Sequence, residues 1–211
     1  MRQNRIIGVY LAAGRSERMG SDKLRLPLGP VCLGNYGLAA ALASGLNHVW
    51  VVSGDTQADW IDRSFYEDRN RRRWSLISCP DARLGQSNSL RCGIRAAASA
   101  GAEAAMVLLA DQPFITAGMI DELLDRYQRQ RHDGILYAAA GLHGLARPPV
   151  IFNHRMFPDL LALQGDVGAR RLIREDRPGI CVEFDDPDLF LDVDTGTDYA
   201  SLLKKTFFWK S

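Results

Sequence analysis

The sequence predicts an α/β protein: one doubly wound, mostly parallel sheet with helices on both faces. Three observations point there. Short apolar runs of strand length alternate with helical patterns at least four times in the first half of the chain, the rhythm of βαβ units. The first run opens directly into a glycine-rich, basic loop, as happens at the ligand-binding edge of such sheets. The chain is long enough, at 211 residues with 46% hydrophobic and 24% charged, for a packed core rather than disorder. No linker or repeat interrupts it, so residues 1–211 are expected to form a single domain.

Ile6 to Leu11 reads as the first buried strand, closed by small residues and glycine. Leu38 to Leu46 is rich in alanine and leucine and reads as a helix ending near Gly45. His48 to Asp55 is a second buried strand, and Thr56 to Glu67 reads as a helix capped by Thr56. "WSLISCP" is a third strand stopped by Pro80. A helix follows from about Asn88, with serines at its start. "AAMVLLADQP" is a fourth strand stopped by Pro113, and Thr116 starts a helix with apolar residues at helical spacing. "GILYAAA" and "PPVIF" are later strands. "RMFPDLLALQ" and "GARRLIRE" are short helices, "VEFDDPDLFLDVDT" is extended, and "TDYASLLKK" closes as a helix. An antiparallel strand is expected at the edge of the sheet.

Composition narrows the function. A net charge of +1 argues against a dedicated nucleic-acid binder. No stretch approaches the length of a membrane span. The apolar run at the N-terminus is too short for a signal sequence and leads straight into the glycine loop, so a soluble cytoplasmic protein is expected. Cys32, Cys79, Cys92 and Cys181 include no C-x-x-C pair and read as reduced, mostly buried thiols. The four histidines are dispersed, without metal-ligand spacing, and no G-x-S-x-G elbow supports a serine hydrolase. "EDRNRRRW" reads as a solvated charged face or helix end. "TFFWKS" is aromatic for a chain end, fitting either a tuck onto the domain or an oligomer contact.

The loop "LAAGRSERMGSDK" carries the chemistry. Its pattern, Gly14, Arg18, Gly20 and Lys23, is neither G-x-G-x-x-G nor a Walker A motif, because Ser21 stands where the latter needs lysine. The physical logic is related: glycines let backbone N–H groups approach phosphates, arginine grips their oxygens as a fork, and lysine adds a mobile point charge. In "LLADQPF", Asp111 follows an apolar strand at the ligand-binding rim, where it either holds Mg²⁺ or caps a turn.

The longer string "LAAGRSERMGSDKLRLPLG" resembles the signature loop of the MobA-like nucleotidyltransferases. Within that family it is most similar to the molybdenum cofactor cytidylyltransferase branch and its relatives needed to mature xanthine dehydrogenase. Three further segments extend the resemblance: "ADQP" at Asp111; "LGQSNSL", where Gly85, Ser87, Ser89 and Leu90 match and Gln86 replaces a common methionine; and "GDVGAR", through Gly165, Asp166, Gly168, Ala169 and Arg170. "LDVDTGTDY" resembles the family's closing element. Asp192 and Asp194 there are candidate metal ligands, whereas Thr195 with Asp198 also reads as a helix start. Before Pro149, where the family is usually richer in glycine and often carries histidine, this chain has Arg147 and Pro148.

The resemblance implies a nucleotide-diphospho-sugar transferase-like, Rossmann-like fold and a Mg²⁺-dependent transfer of CMP from CTP to the molybdenum cofactor, with pyrophosphate released. It implies catalytic roles for Arg18, Lys23 and Asp111, with Asp111 on the metal. Leu11, Ala12, Ala13, Gly14, Lys23, Ser87 and Ser89 are expected to contact the nucleotide, the two serines otherwise serving as simple helix caps. Gly165, Asp166 and Arg170 are expected to contact the cofactor substrate, with Asp166 alternatively a second metal ligand or a helix cap. A client molybdoenzyme is the expected partner. Ala13 favours CTP, since the GTP-using branch tends to carry glycine there. The competing readings are a GTP-using enzyme, a sugar- or polyol-phosphate nucleotidyltransferase, and a non-catalytic cofactor carrier or chaperone.

Overall fold

The computed structural model describes residues 5–14, 19, 22–165, 168–173 and 177–208. Arg18, Gly20 and Asp166, all expected at the site, lie outside the described residues.

The first strand, β1 (Ile6–Leu11), is followed by a small antiparallel ribbon of β2 (Pro27–Leu28) and β3 (Val31–Cys32), then by α1 (Gly34–Ala43). Next come β4 (His48–Ser53), the single turn α2 (Asp68–Arg71), β5 (Trp74–Ser78) and α3 (Gln86–Ser99). The second half contributes β6 (Ala104–Leu109), α4 (Ala117–Gln130), β7 (Tyr137–Leu142) and β8 (Leu145–Asn153). It ends with α5 (Phe157–Ala162), α6 (Arg170–Ile173), β9 (Gly179–Glu183) and α7 (Gly196–Phe208).

Seven strands form the main sheet in the order β5-β4-β1-β6-β8-β7-β9. The chain winds outward from β1 through β4 to β5, then returns to pair β6 on the other flank of β1, all in parallel. The winding direction therefore reverses around β1, and a crevice opens at the carboxyl ends of β1 and β6. The expected antiparallel strand is present but not at the edge. It is β8, paired antiparallel to both β6 and β7, and the edge strands β5 and β9 run parallel to their neighbours. The reason is local: only His143 and Gly144 separate β7 from β8, so the two form a hairpin, and β8 is inserted beside β6.

Side-chain alternation splits the core between the two faces of the sheet. Ile6, Tyr10, Met106 and Leu108 pack on one face with Leu38 and Leu42 of α1, Met119, Ile120 and Leu123 of α4 and Leu202 of α7. Ile7, Val9, Ala105, Val107 and Phe152 pack on the other with Leu90 and Ile94 of α3, Leu160 of α5 and Leu172 of α6. Thr116 caps α4 as expected, its hydroxyl accepting from the Met119 N–H at 3.1 Å. Among the described residues no helix is long and apolar enough to cross a membrane.

Several expectations are corrected. Thr56 to Glu67 does not form a helix; it holds only a 3-10 turn over Arg63–Tyr66, capped by Asp62. Tertiary contacts hold this stretch instead, with Trp60 and Ile61 both buried in the core. Asn35 also satisfies this backbone from outside, donating to the Trp60 carbonyl (2.7 Å) and accepting from the Asp62 N–H (2.8 Å). Helix α1 begins earlier than expected, at Gly34, and ends at Ala43, while α3 begins at Gln86. Arg73, from the charge run, is not simply solvated: it donates to the carbonyls of Ser44 (2.9 Å) and Leu46 (2.8 Å) beyond the end of α1. Cys79 and Cys92 form a disulfide rather than two reduced thiols, because the loop after β5 folds back over α3 and brings their Cα atoms within 6.3 Å. Cys32 and Cys181 are free, and Cys181 is exposed.

Helix α3 lies directly on the sheet through Gly93. A methyl group there would come within 2.2 Å of Val9 Cγ1 and 3.1 Å of Val52 Cγ2. Replacing Gly93 with alanine gains at most about 1 kcal/mol of helix propensity but overpacks this contact at a cost of about 1–3 kcal/mol. Thermal unfolding of Gly93→Ala is expected to show a midpoint lowered by several degrees.

Candidate functional site

The crevice is built from loops that leave the carboxyl ends of the strands. After β1, the Ala12 N–H donates to the Val52 carbonyl at 2.9 Å, which fixes the start of the basic loop against β4. Where the loop returns, the Asp22 side chain accepts from the Leu24 N–H at 3.1 Å and opens a 3-10 turn over Lys23–Arg25. That turn points Lys23 inward, and the residue is only 7% exposed.

The Lys23 ammonium donates to Asp111 Oδ2 at 2.6 Å and to Asp194 Oδ1 at 3.0 Å. Asp111 follows β6, and its carbonyl accepts from the Val193 N–H at 3.1 Å. This single backbone bond brings the closing acidic segment alongside the strand end. Asp194 is then held by the start of α7: Asp198 accepts from the backbone N–H groups of Asp194 (3.2 Å) and Thr195 (2.8 Å) and from the Thr195 hydroxyl (2.8 Å). The Thr195 hydroxyl in turn accepts from the Asp198 N–H at 3.2 Å. Thr195 and Asp198 thus form a reciprocal cap.

Burial alone would lower the pKa of Lys23. The charge of Asp111 and the hydrogen bonds the ammonium donates to both carboxylates more than offset this and leave it above the ordinary lysine value. Asp192 titrates upward, through partial desolvation and then the charges of Asp111 and Asp194. Three carboxylates and one ammonium therefore form one electrostatic unit.

Two cavities meet here. The first, about 330 Å³, is polar and is lined by Ala13, Gly14, Lys23, Ser89, Asp111 and Asp194, among others. The second, about 240 Å³, lies between α3, β6, β8 and α6 and includes Gln112, Arg147, Arg170 and Asp192 in its walls. Leu11, Gln86 and Leu109 line both.

The structure brings Leu11, Ala13, Gly14, Lys23, Ser89 and Asp111 together at the polar cavity. Ala12 instead lines a neighbouring hollow with Ser53, Gly54 and Asp55. Ser87 is fully buried, but its N–H donates to the Gly165 carbonyl at 3.1 Å, which docks Gly165 against the start of α3. The serines do not cap α3: Gly85 occupies the cap position with a φ of 136°, and no side-chain cap bond is made. Ser89 donates to the Gln86 carbonyl at 2.9 Å. Arg170 lies on the second cavity rather than the polar one. Gln86, Gln112 and Arg147 were not among the expected site residues. The signal for Gln112 was its place beside Asp111 in "ADQP", and Arg147 was visible only as a departure from the family pattern.

The pair Asp111 and Asp194 offers hard oxygen donors converging on one cation. Among the described residues no group of three or more His, Cys, Asp or Glu could hold a metal. This donor set fits Mg²⁺, which usually binds through one or two carboxylates together with substrate phosphates. It does not fit a zinc-type cage.

Removing the ammonium leaves two carboxylates facing each other. Lys23→Met is expected to destabilise the fold by about 1–3 kcal/mol at neutral pH, less than the ~3–5 of a fully buried pair because Asp194 reaches solvent. Since folding raises the lysine pKa, this contribution is complete below the unfolded value of about 10.4 and is lost as pH rises through the folded one. Urea unfolding of both proteins from pH 7 to 11 should show the difference constant at first and shrinking at the alkaline end.

Comparison with known proteins gives the family. Residues 8–179 match the MobA-like NTP transferase domain. The purine catabolism protein PucB of Bacillus subtilis is 37% identical over 203 residues, covering 94% of this chain and 96% of PucB. A molybdenum cofactor guanylyltransferase of Rhodobacter capsulatus is 29% identical over 202 residues, covering 93% of this chain and 94% of its own. Among solved structures, Rv0371c of Mycobacterium tuberculosis superposes with a TM-score of 0.76 at 25% identity, covering 95% of this chain and 98% of its own. Its complex with manganese superposes with a TM-score of 0.68 at 23% identity, over 95% of this chain and 98% of its own. The chain belongs to the MobA-like NTP transferase family and is a nucleotidyltransferase.

Proposed function

We propose that this enzyme transfers CMP from CTP to the terminal phosphate of the molybdenum cofactor, releasing pyrophosphate, in the maturation of a molybdoenzyme such as xanthine dehydrogenase. In this reading it works in the cytoplasm as one domain spanning residues 1–211. The observation that carries it is the Lys23–Asp111–Asp194 cluster in a polar cavity walled by Ala13, Gly14 and Ser89. The relatives fit: one is a purine catabolism protein and another acts on the molybdenum cofactor.

The chemistry suits these residues. A phosphate monoester has a second pKa of about 6 and is already ionised near neutral pH, so the attacking oxygen needs no general base. The obstacle is charge. Two unit charges 4 Å apart repel by about 4 kcal/mol at an effective dielectric of 20, and a triphosphate facing a monoester makes several such pairs. Lys23, with Arg18 on the same loop, supplies positive charge to the leaving pyrophosphate, and the backbone around Gly14 supplies N–H donors. Asp111 and Asp194 would hold Mg²⁺, which orients phosphate oxygens and neutralises charge when bound. Gly165, Asp166 and Arg170 would serve the second substrate, Arg170 by gripping its phosphate.

Ala13, at the polar cavity, favours CTP by leaving less room for a base than glycine would. A second reading, GTP as donor, is favoured by the guanylyltransferase relative in R. capsulatus. Thermal unfolding with CTP, GTP, ATP or UTP, each with and without Mg²⁺, separates the two. A ligand at 100 times its Kd adds about 2.7 kcal/mol, a rise of about 2–4 °C per kcal/mol for a chain of this size. The expected result is a Mg²⁺-dependent shift selective for CTP; a shift selective for GTP overturns the base assignment. Cofactor binding without pyrophosphate release would instead indicate a carrier.

Asp111→Ala is expected to abolish most pyrophosphate release, and near-normal turnover would refute its metal role. Ala13→Gly is expected to shift the ratio of kcat/KM for CTP and GTP toward GTP, and an unchanged ratio would remove the first loop from base selection.

A further inference from the structure

We propose that Cys79 and Cys92 are a reversible thiol–disulfide switch whose bonded form orders one wall of the polar cavity, with a small disulfide such as oxidised glutathione as the co-reactant. This rests on the cytoplasmic, nucleotide-binding reading above and adds a means of regulation to that site.

The two cysteines frame the wall. They lie 13 residues apart, and Ala82, Gly85, Gln86 and Ser89, which line the polar cavity, all fall between them. The bond therefore closes a covalent ring around the segment that shares this cavity with Lys23 and Asp111. Both ends of the ring are anchored independently of the bond. The Cys79 N–H donates to the Ser53 carbonyl of β4 at 2.8 Å. Cys92 adjoins Gly93, where α3 lies against Val9 and Val52 of the sheet.

The segment between is held more lightly. From Pro80 to Leu84 it forms a 3-10 turn, with short-range bonds from the Ala82 N–H to the Cys79 carbonyl (3.0 Å) and from the Gly85 N–H to the Ala82 carbonyl (3.3 Å). Short turns of this kind belong to the parts of a fold that open at low cost. Its foothold in the core is the methyl group of Ala82, whereas Leu84 is 71% exposed. Gly85, with a φ of 136°, is a joint that only glycine adopts readily. Cross-linking the ends removes open conformations of such a segment, so a ligand that needs the wall in place no longer has to order it.

The unequal burial of the pair suits exchange in two steps. Cys92 is half-buried, whereas Cys79 is only 1% exposed. In closure the Cys92 thiolate attacks oxidised glutathione, breaking its S–S bond and releasing one glutathione thiolate. The Cys79 thiolate then attacks the Cys92 sulfur of the mixed disulfide and expels the second glutathione. The protein loses two protons and two electrons, and both reach the two glutathione thiols. Two glutathiones reverse the sequence, again entering at Cys92. In a reducing compartment the disulfides that do form are usually catalytic or redox-sensing. Nucleotidyl transfer uses neither thiol, which leaves sensing.

The test equilibrates the full chain in glutathione buffers from strongly reducing to strongly oxidising, then alkylates free thiols and maps them by mass spectrometry. Cys79 and Cys92 are expected to become protected together within the series. A pair still reduced in the most oxidising buffer, or still bonded in the most reducing one, overturns the proposal. Calorimetry then compares Mg²⁺-CTP and Mg²⁺-GTP on the two forms. Whichever nucleotide binds is expected to bind about tenfold more weakly to the reduced form, as for a wall in place about a tenth of the time. Cys92→Ser should match the reduced form in every buffer. Wild-type Kd values within twofold of each other, or tighter binding by the reduced form, overturn the proposal. Hydrogen exchange over residues 80–88 reads the wall without nucleotide: faster exchange is expected in the reduced form, and equal rates overturn the proposal. If neither nucleotide binds either form while the exchange rates differ, the transfer reading has failed and the switch stands.

Discussion

The site depends on one buried ammonium. Lys23 meets carboxylates that lie 88 and 171 residues further along the chain, so its charge is shared among three loops. Neither half of the cluster stands alone. A lysine this withdrawn from water is disfavoured unless its charge is compensated, and two carboxylates directed at one point repel without a cation between them. The 3-10 turn opened by Asp22 and the reciprocal cap of Thr195 and Asp198 are the local devices that bring the partners into range. The backbone bond from Val193 to Asp111 locks the acidic segment to the strand end.

Around that cluster the crevice divides its chemistry between two joined spaces. The polar cavity concentrates opposite charges beside Gly14. The apolar cavity between α3 and β8 is walled mainly by aliphatic and aromatic side chains with a few polar groups among them. Leu11, Gln86 and Leu109 are common to both and mark where the two cavities join. Their position at the ends of β1 and β6 follows from the winding of the sheet, because the reversal around β1 leaves its carboxyl end uncovered by a crossing helix.

The disulfide between Cys79 and Cys92 ties the loop that carries Ala82 and Gly85 to the helix that carries Ser89, all three of which line the polar cavity. The docking of Gly165 on Ser87 ties the same helix to the segment that carries Arg170. Helix α3 is therefore the element against which both cavities are assembled, and the close approach of Gly93 to Val9 and Val52 sets its distance from the sheet.

Much of this was legible along the chain. The strands β1, β4 and β6 are short apolar runs, and burial on both faces requires that pattern whatever the tertiary details. The loop after β1 and the carboxylate after β6 were visible because their residue types follow strands directly. Thr56 to Glu67 was misread because a helix-like composition carries no information about Asn35, whose side chain satisfies that backbone from 20 or more residues away. The place of β8 inside the sheet, the pairing of Cys79 with Cys92, the joining of Asp194 to Lys23 and the turning of Arg147 into the apolar cavity were likewise beyond it. The sequence by itself determined which segments become strands and helices and which residue types stand at their ends, because those depend on neighbours within a few positions. Only the tertiary structure decided which ends meet, because an ion pair, a disulfide or a cavity wall joins residues that covalent order keeps far apart.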